Sequence, residues 1–394
     1  MTSNDTVSTP GNYTDFERFN PFKDNQDELL HVSWTSLQQI YPNLSLYGGP
    51  TVIFPVQLFY VIGTAKGSVI IFTKTQFVQS VLSPSIKDFR SKVTSIDINQ
   101  DGTHICAGYE SGDIFIWDLN SDVDNESNSN QKEAVLHIAS HKGHMFNGIS
   151  FIPGKHTNIV ASDSTGHIVI HKGNRNHLLQ LVPSSKEIMR LNPMTNPLLM
   201  TRIRNNGENY EAEHLMAVLS SRSFAIISLS APTMYTSRLV ELPSKNSSAF
   251  GYIAWNSFNM NQVAFSVDNQ LSLIDLENLQ FQWSYEAPEP ICKIDWLTDK
   301  IMTILLVSNR LLFIDTNASN NEEDNAVLTS IDLLVSDIIV PNSENHFAAI
   351  GSKIVVLTNY CLKVGKLNSW SDIVLYHIHQ GNYINALGTL GFCL

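Results

Sequence analysis

The chain has 394 residues, of which 43% are hydrophobic and 16% charged, so it has enough apolar surface for a large folded core and is not disordered as a whole. Its 37 acidic and 25 basic residues give a formal net charge of −12, which disfavours binding to nucleic acid or to an anionic membrane surface. The four cysteines include no C-x-x-C pair, so we expect neither a zinc site nor a disulfide scaffold, and the protein is predicted to be cytoplasmic.

Residues 1–28 are predicted to form a flexible amino-terminal arm. The first ten residues are polar and lack the basic start and apolar stretch of a secretory signal. Phe16, Phe19 and Phe22 lie in this arm. They would either pack the arm onto the folded domain or present Asn20-Pro21-Phe22 as a short peptide ligand. No segment of the chain is long and apolar enough to predict a transmembrane helix.

Residues 29–366 repeat one pattern, a short strand of β-branched and aromatic residues every 40 to 56 residues. That interval is the length of a four-stranded propeller blade. The pattern therefore predicts an all-β fold, a seven-bladed WD-type β-propeller. The recurring strands are Val69–Phe72, Ile114–Trp117, Ile168–His171, Phe224–Ile227, Leu271–Ile274, Leu311–Ile314 and Ile354–Val356.

The second repeat shows the predicted blade most clearly. Strands at 93–98, 104–109 and 114–119 are separated by glycine-containing turns that suit hairpins. A fourth strand at 134–138 follows the polar stretch 120–132, which is predicted to be a solvated loop. The aromatic residue of the third strand, Trp117, is expected to be buried against a neighbouring blade.

Two parts of the propeller stay open at this point. The strand candidates at 29–34 and 44–53 are both able to complete the first blade. The fourth repeat is the least regular, because a polar excursion at 205–213 interrupts it.

The pattern changes to helical spacing after Trp370. Ser369 or Ser371 is a suitable N-cap, and Gly381 separates two short helices. These helices predict that residues 367–394 are the start of an α-solenoid, and that the chain is the amino-terminal part of a longer protein.

No motif of the chain predicts catalysis, a cofactor or a metal. The histidines between His137 and His177 lack the spacing of a zinc site. Gly143-His144 stands where WD repeats often have this dipeptide, and His171 takes the place that Trp117 has in its own blade. Residues 63–68 lack the spacing of a phosphate-binding loop and are predicted to be a hairpin turn. The chain is therefore not expected to be an enzyme.

Several strings of residues are specific enough to identify a relationship. They are Gly63-Thr-Ala-Lys-Gly-Ser-Val-Ile-Ile-Phe72, Ser95-Ile-Asp-Ile-Asn-Gln-Asp-Gly-Thr103, Ala107-Gly-Tyr-Glu-Ser-Gly-Asp-Ile-Phe-Ile-Trp-Asp-Leu119, Asn147-Gly-Ile149 and Ser162-Asp-Ser-Thr-Gly166. With the terminal Trp370 to Leu387 stretch, these strings resemble the vacuolar protein sorting-associated protein 8 family, the Rab-binding subunits of the endosomal CORVET tether.

The resemblance implies a non-catalytic subunit whose propeller binds the GTP-bound early-endosomal Rab GTPase. It also implies peripheral association with endosomes, contacts to other tether subunits through the solenoid, and a role in endosomal fusion and vacuolar protein sorting. The most exposed irregular elements are the predicted contact sites, with Phe16, Phe19, Phe22, Asn205 and Tyr210 as the partner-binding residues.

Two alternative functions remain from the sequence. A coat or scaffold propeller-solenoid subunit would bind cargo peptides and would not sense a bound nucleotide. An enzyme would need a deep, polar central pocket with carboxylates of perturbed pKa.

Overall fold

The fold is described from a computed structural model, which covers residues 32–120, 131–178, 180–191, 199–204, 213–221, 223–229, 237–241, 251–277, 280–318, 326–333, 346–358 and 361–387. Within these ranges the strands form seven sheets. The chain enters with strand β1 (Val32–Leu37) and helix α1 (Ile40–Tyr47), and then builds one blade after another.

From the innermost strand outward, the blades have the following strands. Blade 1 is β2 (Pro50–Pro55), β3 (Phe59–Thr64), β4 (Val69–Thr73) and β5 (Val78–Leu82). Blade 2 is β6 (Val93–Ile98), β7 (His104–Tyr109), β8 (Ile114–Asp118) and, after the two-residue β9 (Gln131–Lys132), β10 (Leu136–Ile138). Blade 3 is β11 (Phe146–Phe151), β12 (Asn158–Asp163), β13 (His167–Arg175) and β14 (Leu181–Arg190). Blade 4 is β15 (Leu199–Ile203), β16 (Leu215–Ser220), β17 (Ser223–Ser228) and β18 (Ser237–Glu241).

Blade 5 is β19 (Gly251–Trp255), β20 (Gln262–Val267), β21 (Gln270–Asp275) and β22 (Gln280–Glu286). Blade 6 is β23 (Ile291–Trp296), β24 (Ile301–Leu306), β25 (Arg310–Asp315) and β26 (Val327–Asp332). Blade 7 is β27 (Phe347–Ile350), β28 (Lys353–Leu357), β29 (Leu362–Leu367) and β1.

The seven innermost strands surround a common axis. Each of them contacts the innermost strands of the blades before and after it, and β27 of blade 7 contacts β2 of blade 1, which closes the cycle. The fold is therefore a seven-bladed β-propeller, as the repeat interval predicts.

The amino-terminal strand closes the ring. β1 pairs antiparallel with β29 and becomes the outermost strand of blade 7. The candidate at 29–34 therefore contributes to the seventh blade and not to the first. The candidate at 44–53 divides between the end of α1 and β2, because Gly48, with φ of 93°, and Gly49 turn the chain between them.

The register of the seventh repeat differs from the prediction. Six of the seven recurring strands are the third strands of their blades, whereas Ile354–Val356 lies in β28, a second strand. Second and third strands are both buried on two faces, so both are apolar runs. β29 contains Lys363 and Lys366, so it lacks the continuous apolar pattern of the other third strands and was not recognised as one.

The hydrophobic core is divided among the interfaces between blades. Trp117 is fully buried, as predicted, in a cluster that combines side chains of blades 1 and 2. Gly108 lies at the interface of blades 2 and 3, where a Cβ would come within 2.1 Å of Ile149 Cδ1. The absence of a side chain at Gly108 therefore lets the two blades pack this closely.

One loop prediction needs correction. Residues 131 and 132 belong to the predicted solvated loop of blade 2, but they form β9, which pairs in parallel with β5 and extends the sheet of blade 1. Residues 121–130 of that loop lie outside the described residues.

Helix α2 (Trp370–His379) follows the last strand. Ser369 is its N-cap, because its Oγ accepts a hydrogen bond from Asp372 N while the Asp372 carboxylate accepts one from Ser369 N at 3.0 Å. Gly381 has φ of 72° and ends the helix, and residues 383–387 are helical again. The predicted pair of short helices is thus present within the described residues.

Candidate functional site

The two ends of the propeller carry different connections. We call the end where first strands join second strands and third strands join fourth strands the lower face. The upper face carries the turns between second and third strands and the connections between blades. Every innermost strand therefore begins at the upper face and runs toward the lower face.

The lower face carries several large exposed apolar side chains. Leu58 lies in the β2–β3 turn and is 76% exposed, and Phe77 lies in the β4–β5 turn and is 68% exposed. Leu178 and Phe258 lie in lower-face connections of blades 3 and 5 and are also exposed. Single exposed apolar residues are common on protein surfaces, but Leu58 and Phe77 lie at the same end of one blade and are therefore the candidate contacts for a protein partner.

Leu58 and Phe77 lie in two short hydrogen-bonded turns at the same end of blade 1. Phe59 pairs with Thr73, so the two turns leave the same end of the β3–β4 pair. In the second turn, Thr73 N donates to Phe77 O at 2.9 Å and Phe77 N donates to Thr73 Oγ1 at 3.1 Å. In the first turn, Val56 N donates to Phe59 O at 2.9 Å, so hydrogen-bonded backbone presents both side chains, which favours binding because less conformational freedom is lost.

The partner-binding residues that the sequence predicted lie outside the described residues. These are Phe16, Phe19 and Phe22 in the arm, and Asn205 and Tyr210 in the fourth-blade excursion. The described residues beside them still show where the two segments join the propeller. Val32, which follows the arm, pairs with Leu367 at the lower end of blade 7, and the excursion connects the first strand of blade 4 to the second.

Both segments therefore join the propeller at the lower face, at the same end as Leu58 and Phe77. At the base of the excursion, Arg204 Nη2 donates to Glu213 O at 2.7 Å. The sequence missed Leu58 and Phe77, because an apolar residue next to a strand has the same pattern as the strand itself.

The histidines of blade 3 form a buried hydrogen-bonded chain. His141 Nδ1 lies 2.6 Å from Asp163 Oδ2, His141 Nε2 lies 2.9 Å from His171 Nε2, and His171 Nδ1 lies 2.8 Å from Ser185 Oγ. The chain joins the blade 2–blade 3 connection to the second, third and fourth strands of blade 3. Gly143-His144 stands where WD repeats often have this dipeptide, but the buried hydrogen bonds to Asp163 and His171 are made by His141.

The surroundings of Asp163 and His171 change the pKa values of both residues. Burial alone would favour the neutral acid, but hydrogen bonds from His141, Thr165 and backbone N–H groups hold the pKa of Asp163 well below its usual range. Burial, with the neighbouring His141 charge, lowers the pKa of His171 to about 3. The hydrogen bond between the two Nε2 atoms needs one donor and one acceptor, so it is lost if both rings are cationic. These hydrogen-bonded residues therefore have a structural role, which is to hold the strands of blade 3 together.

Two carboxylates of the innermost strands have raised pKa values. Burial raises the pKa of Asp97 to about 6 and also raises that of Asp295. Their oxygens accept hydrogen bonds from the backbone of the next blade, from Phe151 N at 2.7 Å and from Ala349 N at 2.9 Å. Both carboxylates therefore have a structural role, which is to link neighbouring blades.

The described part of the chain was searched for metal-binding clusters and for helices that could span a membrane. Its residues include no group of three or more His, Cys, Asp or Glu side chains that is arranged to hold a metal ion. None of its helices is long and apolar enough to cross a membrane.

Comparison with known proteins identifies the relationship. The family model "Vps8 beta-propeller" matches residues 31–353. The chain is 33% identical over 379 residues to vacuolar protein sorting-associated protein 8 of Saccharomyces cerevisiae, an alignment that covers 90% of the chain and 29% of the yeast protein. The chain thus spans less than a third of the length of this relative. Both matches show that the chain belongs to the Vps8 β-propeller family.

Proposed function

We propose that the chain is the propeller of an endosomal tethering subunit, and that its lower face binds a GTP-bound early-endosomal Rab GTPase. The observation that carries this proposal is family membership over nearly the whole propeller. The yeast relative is named for vacuolar protein sorting, which agrees with a role in transport to that compartment.

The lower face has the chemistry that such a partner requires. The γ-phosphate of GTP orders the switch regions of a small GTPase, and so decides whether a complementary surface exists. Leu58 and Phe77 supply exposed apolar contacts at fixed positions, and the segments that contain Phe16, Phe19, Phe22, Asn205 and Tyr210 join the same face. In this proposal the segments flank the apolar contact and complete the interface.

The helical residues after the propeller support a second part of the proposal. Leu375, Ile378, Tyr383, Ile384 and Leu387 are exposed apolar side chains of α2 and of the helical residues 383–387. We propose that this surface begins an α-solenoid, through which the other subunits of the tether bind.

Binding measurements with surface variants test the proposed interface. The Leu58→Asp, Phe77→Asp double variant is expected to weaken binding of the GTP-loaded Rab by about tenfold or more, because apolar anchors dominate such interfaces. The matched control is Leu46→Asp with Met145→Asp, which changes two exposed residues of the upper face in the same way and should leave the affinity unchanged.

Separate deletions of residues 1–28 and 205–212 test the two flanking segments. Each deletion should weaken binding without changing the thermal unfolding of the propeller. Equal loss of binding in the lower-face and upper-face variants would contradict the proposed face. A chain that binds neither nucleotide form would favour the coat or scaffold function.

A further inference from the structure

The upper face of the propeller is divided by charge. Over blades 1 and 2, its loops carry five exposed basic side chains and fewer carboxylates. The basic residues are Lys66, Lys87, Arg90, Lys92 and Lys142, and the acidic ones are Asp88, Glu110 and Asp113. Over blades 5 and 6 the balance is reversed, because the described upper-face positions include Asp268, Glu286, Glu289 and Asp332 beside Arg310. One half of this face is therefore positive in a chain whose formal net charge is −12. We call the upper-face residues 40–49, 65–68, 83–92, 110–113 and 139–145 the basic sector.

Hydrogen bonds join the loops of the basic sector into one continuous surface. In order across the sector, the donors and acceptors are Ala65 N to Gly49 O at 2.9 Å, Tyr109 Oη to Gly67 O at 3.0 Å, Glu110 N to Lys92 O at 2.9 Å, and Gly143 N to Ser111 O at 2.8 Å. Each bond links a loop to the next one. The sector therefore extends without a break from the end of α1 to the connection between blades 2 and 3.

Large apolar side chains are exposed in the same sector. Leu46 is 74% exposed, and Ile86 and Met145 are 44% and 45% exposed. Among the described residues, these three are all the large apolar side chains that are exposed on the upper face. Lys66 Nζ donates to Leu46 O at 3.4 Å, so a positive charge lies directly beside one of them. Single exposed apolar residues are ordinary, but their coincidence with the positive half of the face makes the basic sector amphipathic.

The described part of the chain does not pair the basic groups of the sector with carboxylates. None of the five basic residues forms a salt bridge within the described ranges. Asp113, a carboxylate of the same sector, instead lies 2.8 Å from His137 Nε2 and accepts from Ser111 Oγ at 2.7 Å. In the acidic half, by contrast, Arg310 Nε donates to Asp332 Oδ1 at 2.8 Å. A ligand of the basic sector is therefore expected to supply carboxylates.

We propose that the basic sector binds a segment of a partner protein that combines Asp or Glu residues with large apolar residues. The carboxylates of this segment pair with the basic side chains, and its apolar residues contact Leu46, Ile86 and Met145. The sector lies at the opposite end of the propeller from Leu58 and Phe77, so this segment and the lower-face partner bind independently.

The division of the upper face favours a protein segment over two other occupants. A flat anionic membrane across the whole face would also meet the carboxylates of blades 5 and 6, which it would repel, whereas a segment covers the basic sector alone. A second copy of the chain would have to offer its acidic half. That half has no exposed large apolar side chain among its described residues, and Asp332 is already paired with Arg310.

Selection from a phage-displayed library of random peptides tests this site, because it assumes no particular sequence. We expect peptides that contain both carboxylates and large apolar residues to be enriched on the immobilised chain. Fluorescence anisotropy with synthetic copies of the enriched peptides then measures their affinity. The affinity should fall about tenfold or more between about 0.05 and 0.5 M salt, because the contact depends on charge.

Charge-reversal variants show where these peptides bind. Lys87→Glu with Arg90→Glu should weaken peptide binding about tenfold or more, because two attractive charges become repulsive. The matched control is Lys155→Glu with Lys300→Glu, which makes the same change of charge at exposed lower-face positions and should bind like the wild type. All four positions are exposed, so both double variants are expected to fold.

A variant without a charge change tests the apolar part of the contact. Ile86→Ser removes an exposed apolar side chain and should bind the enriched peptides several times more weakly, with the same salt dependence as the wild type.

The proposal is overturned if peptides with carboxylates and apolar residues are not enriched. It is also overturned if the Lys87→Glu, Arg90→Glu variant binds them like the wild type, or if the Lys155→Glu, Lys300→Glu control loses binding equally. Binding to phosphatidylserine vesicles without peptide binding would assign the sector to a membrane instead. Self-association in analytical ultracentrifugation that Lys87→Glu with Arg90→Glu abolishes, again without peptide binding, would assign it to a second copy.

Discussion

Trp117 and His171 occupy equivalent positions in neighbouring blades and have opposite surroundings. Each lies opposite the second residue of its partner strand, Ile105 in one blade and Ile159 in the other. His171 belongs to a buried hydrogen-bonded chain, whereas Trp117 Nε1 is buried without a hydrogen-bond partner among the described residues. The same position is therefore stabilised by packing in blade 2 and by polar contacts in blade 3.

Replacement of Trp117 tests the contribution of packing. Trp117→Ala should lower the free energy of unfolding by about 3–5 kcal/mol, because it leaves a cavity between blades 1 and 2. Trp117→Phe should cost about 1 kcal/mol or less, because the lost volume is smaller and a buried N–H without a partner is removed as well. Chemical denaturation measures both values. Equal stability of Trp117→Ala and the wild type would contradict the blade register.

The buried histidines predict loss of stability in acid. The pKa of His171 is about 3 in the folded chain, below the value of about 6.5 for an unfolded histidine, so the unfolded chain binds more protons between these pH values. Stability should therefore fall as the pH drops from about 6.5 toward 3, by up to about 1.4 kcal/mol per pH unit from this residue.

A histidine variant separates this effect from general acid sensitivity. His171→Gln should reduce the pH slope of the unfolding free energy by about one proton relative to the wild type. His177→Gln, at an exposed position of the same blade, is the matched control. Identical slopes for the His171→Gln and wild-type chains would contradict the burial of the neutral ring.

At the scale of elements, two kinds of hydrogen bond recur between the innermost strands of neighbouring blades. The fifth residue of the innermost strand is an aspartate in blades 2 and 6, and each aspartate accepts a hydrogen bond from the innermost strand of the next blade. Trp255 and Trp296 end the innermost strands of blades 5 and 6, and their Nε1 atoms donate to the previous blade at 3.0 and 3.2 Å. These contacts link blades whose strands share no sheet.

Strands that are buried on both faces were predictable from the sequence, because most of their positions are apolar. Third strands such as Ile114–Asp118 stand out, because neighbouring blades cover both of their faces. β1 and β29 were not predictable as a pair, because β1 has a polar, half-exposed pattern and its partner lies more than 300 residues along the chain. Leu58 and Phe77 were missed because each stands directly before a strand and continues its apolar pattern, so the sequence does not show that either side chain is exposed in a turn.

The closure of the ring by β1 predicts a sharp boundary for amino-terminal truncation. Deleting residues 1–31 should leave thermal unfolding unchanged, whereas deleting residues 1–37 should remove the outer strand of blade 7, expose the edge of β29 and lower the stability by several kcal/mol. Scanning calorimetry of the two truncated chains measures this difference. The same Tm for both truncations would contradict closure by β1.

At the scale of the whole molecule, the lower face carries the exposed residues Leu58 and Phe77, and the two segments that the sequence singled out join the propeller at the same face. A chain with net charge −12 that bound its partner by charge alone would lose affinity steeply with salt, whereas an apolar lower-face contact should persist at about 0.5 M salt.

The affinity of the chain for the Rab GTPase in each nucleotide state tests the proposed function most directly. Binding to the form loaded with a non-hydrolysable GTP analogue should be at least about tenfold tighter than binding to the GDP form, because only the first has ordered switch regions. The difference should disappear in the Leu58→Asp, Phe77→Asp variant and persist in the Leu46→Asp, Met145→Asp control. Equal affinity for both nucleotide forms, or a preference unaffected by the lower-face variant, would contradict binding of the switch regions by the lower face.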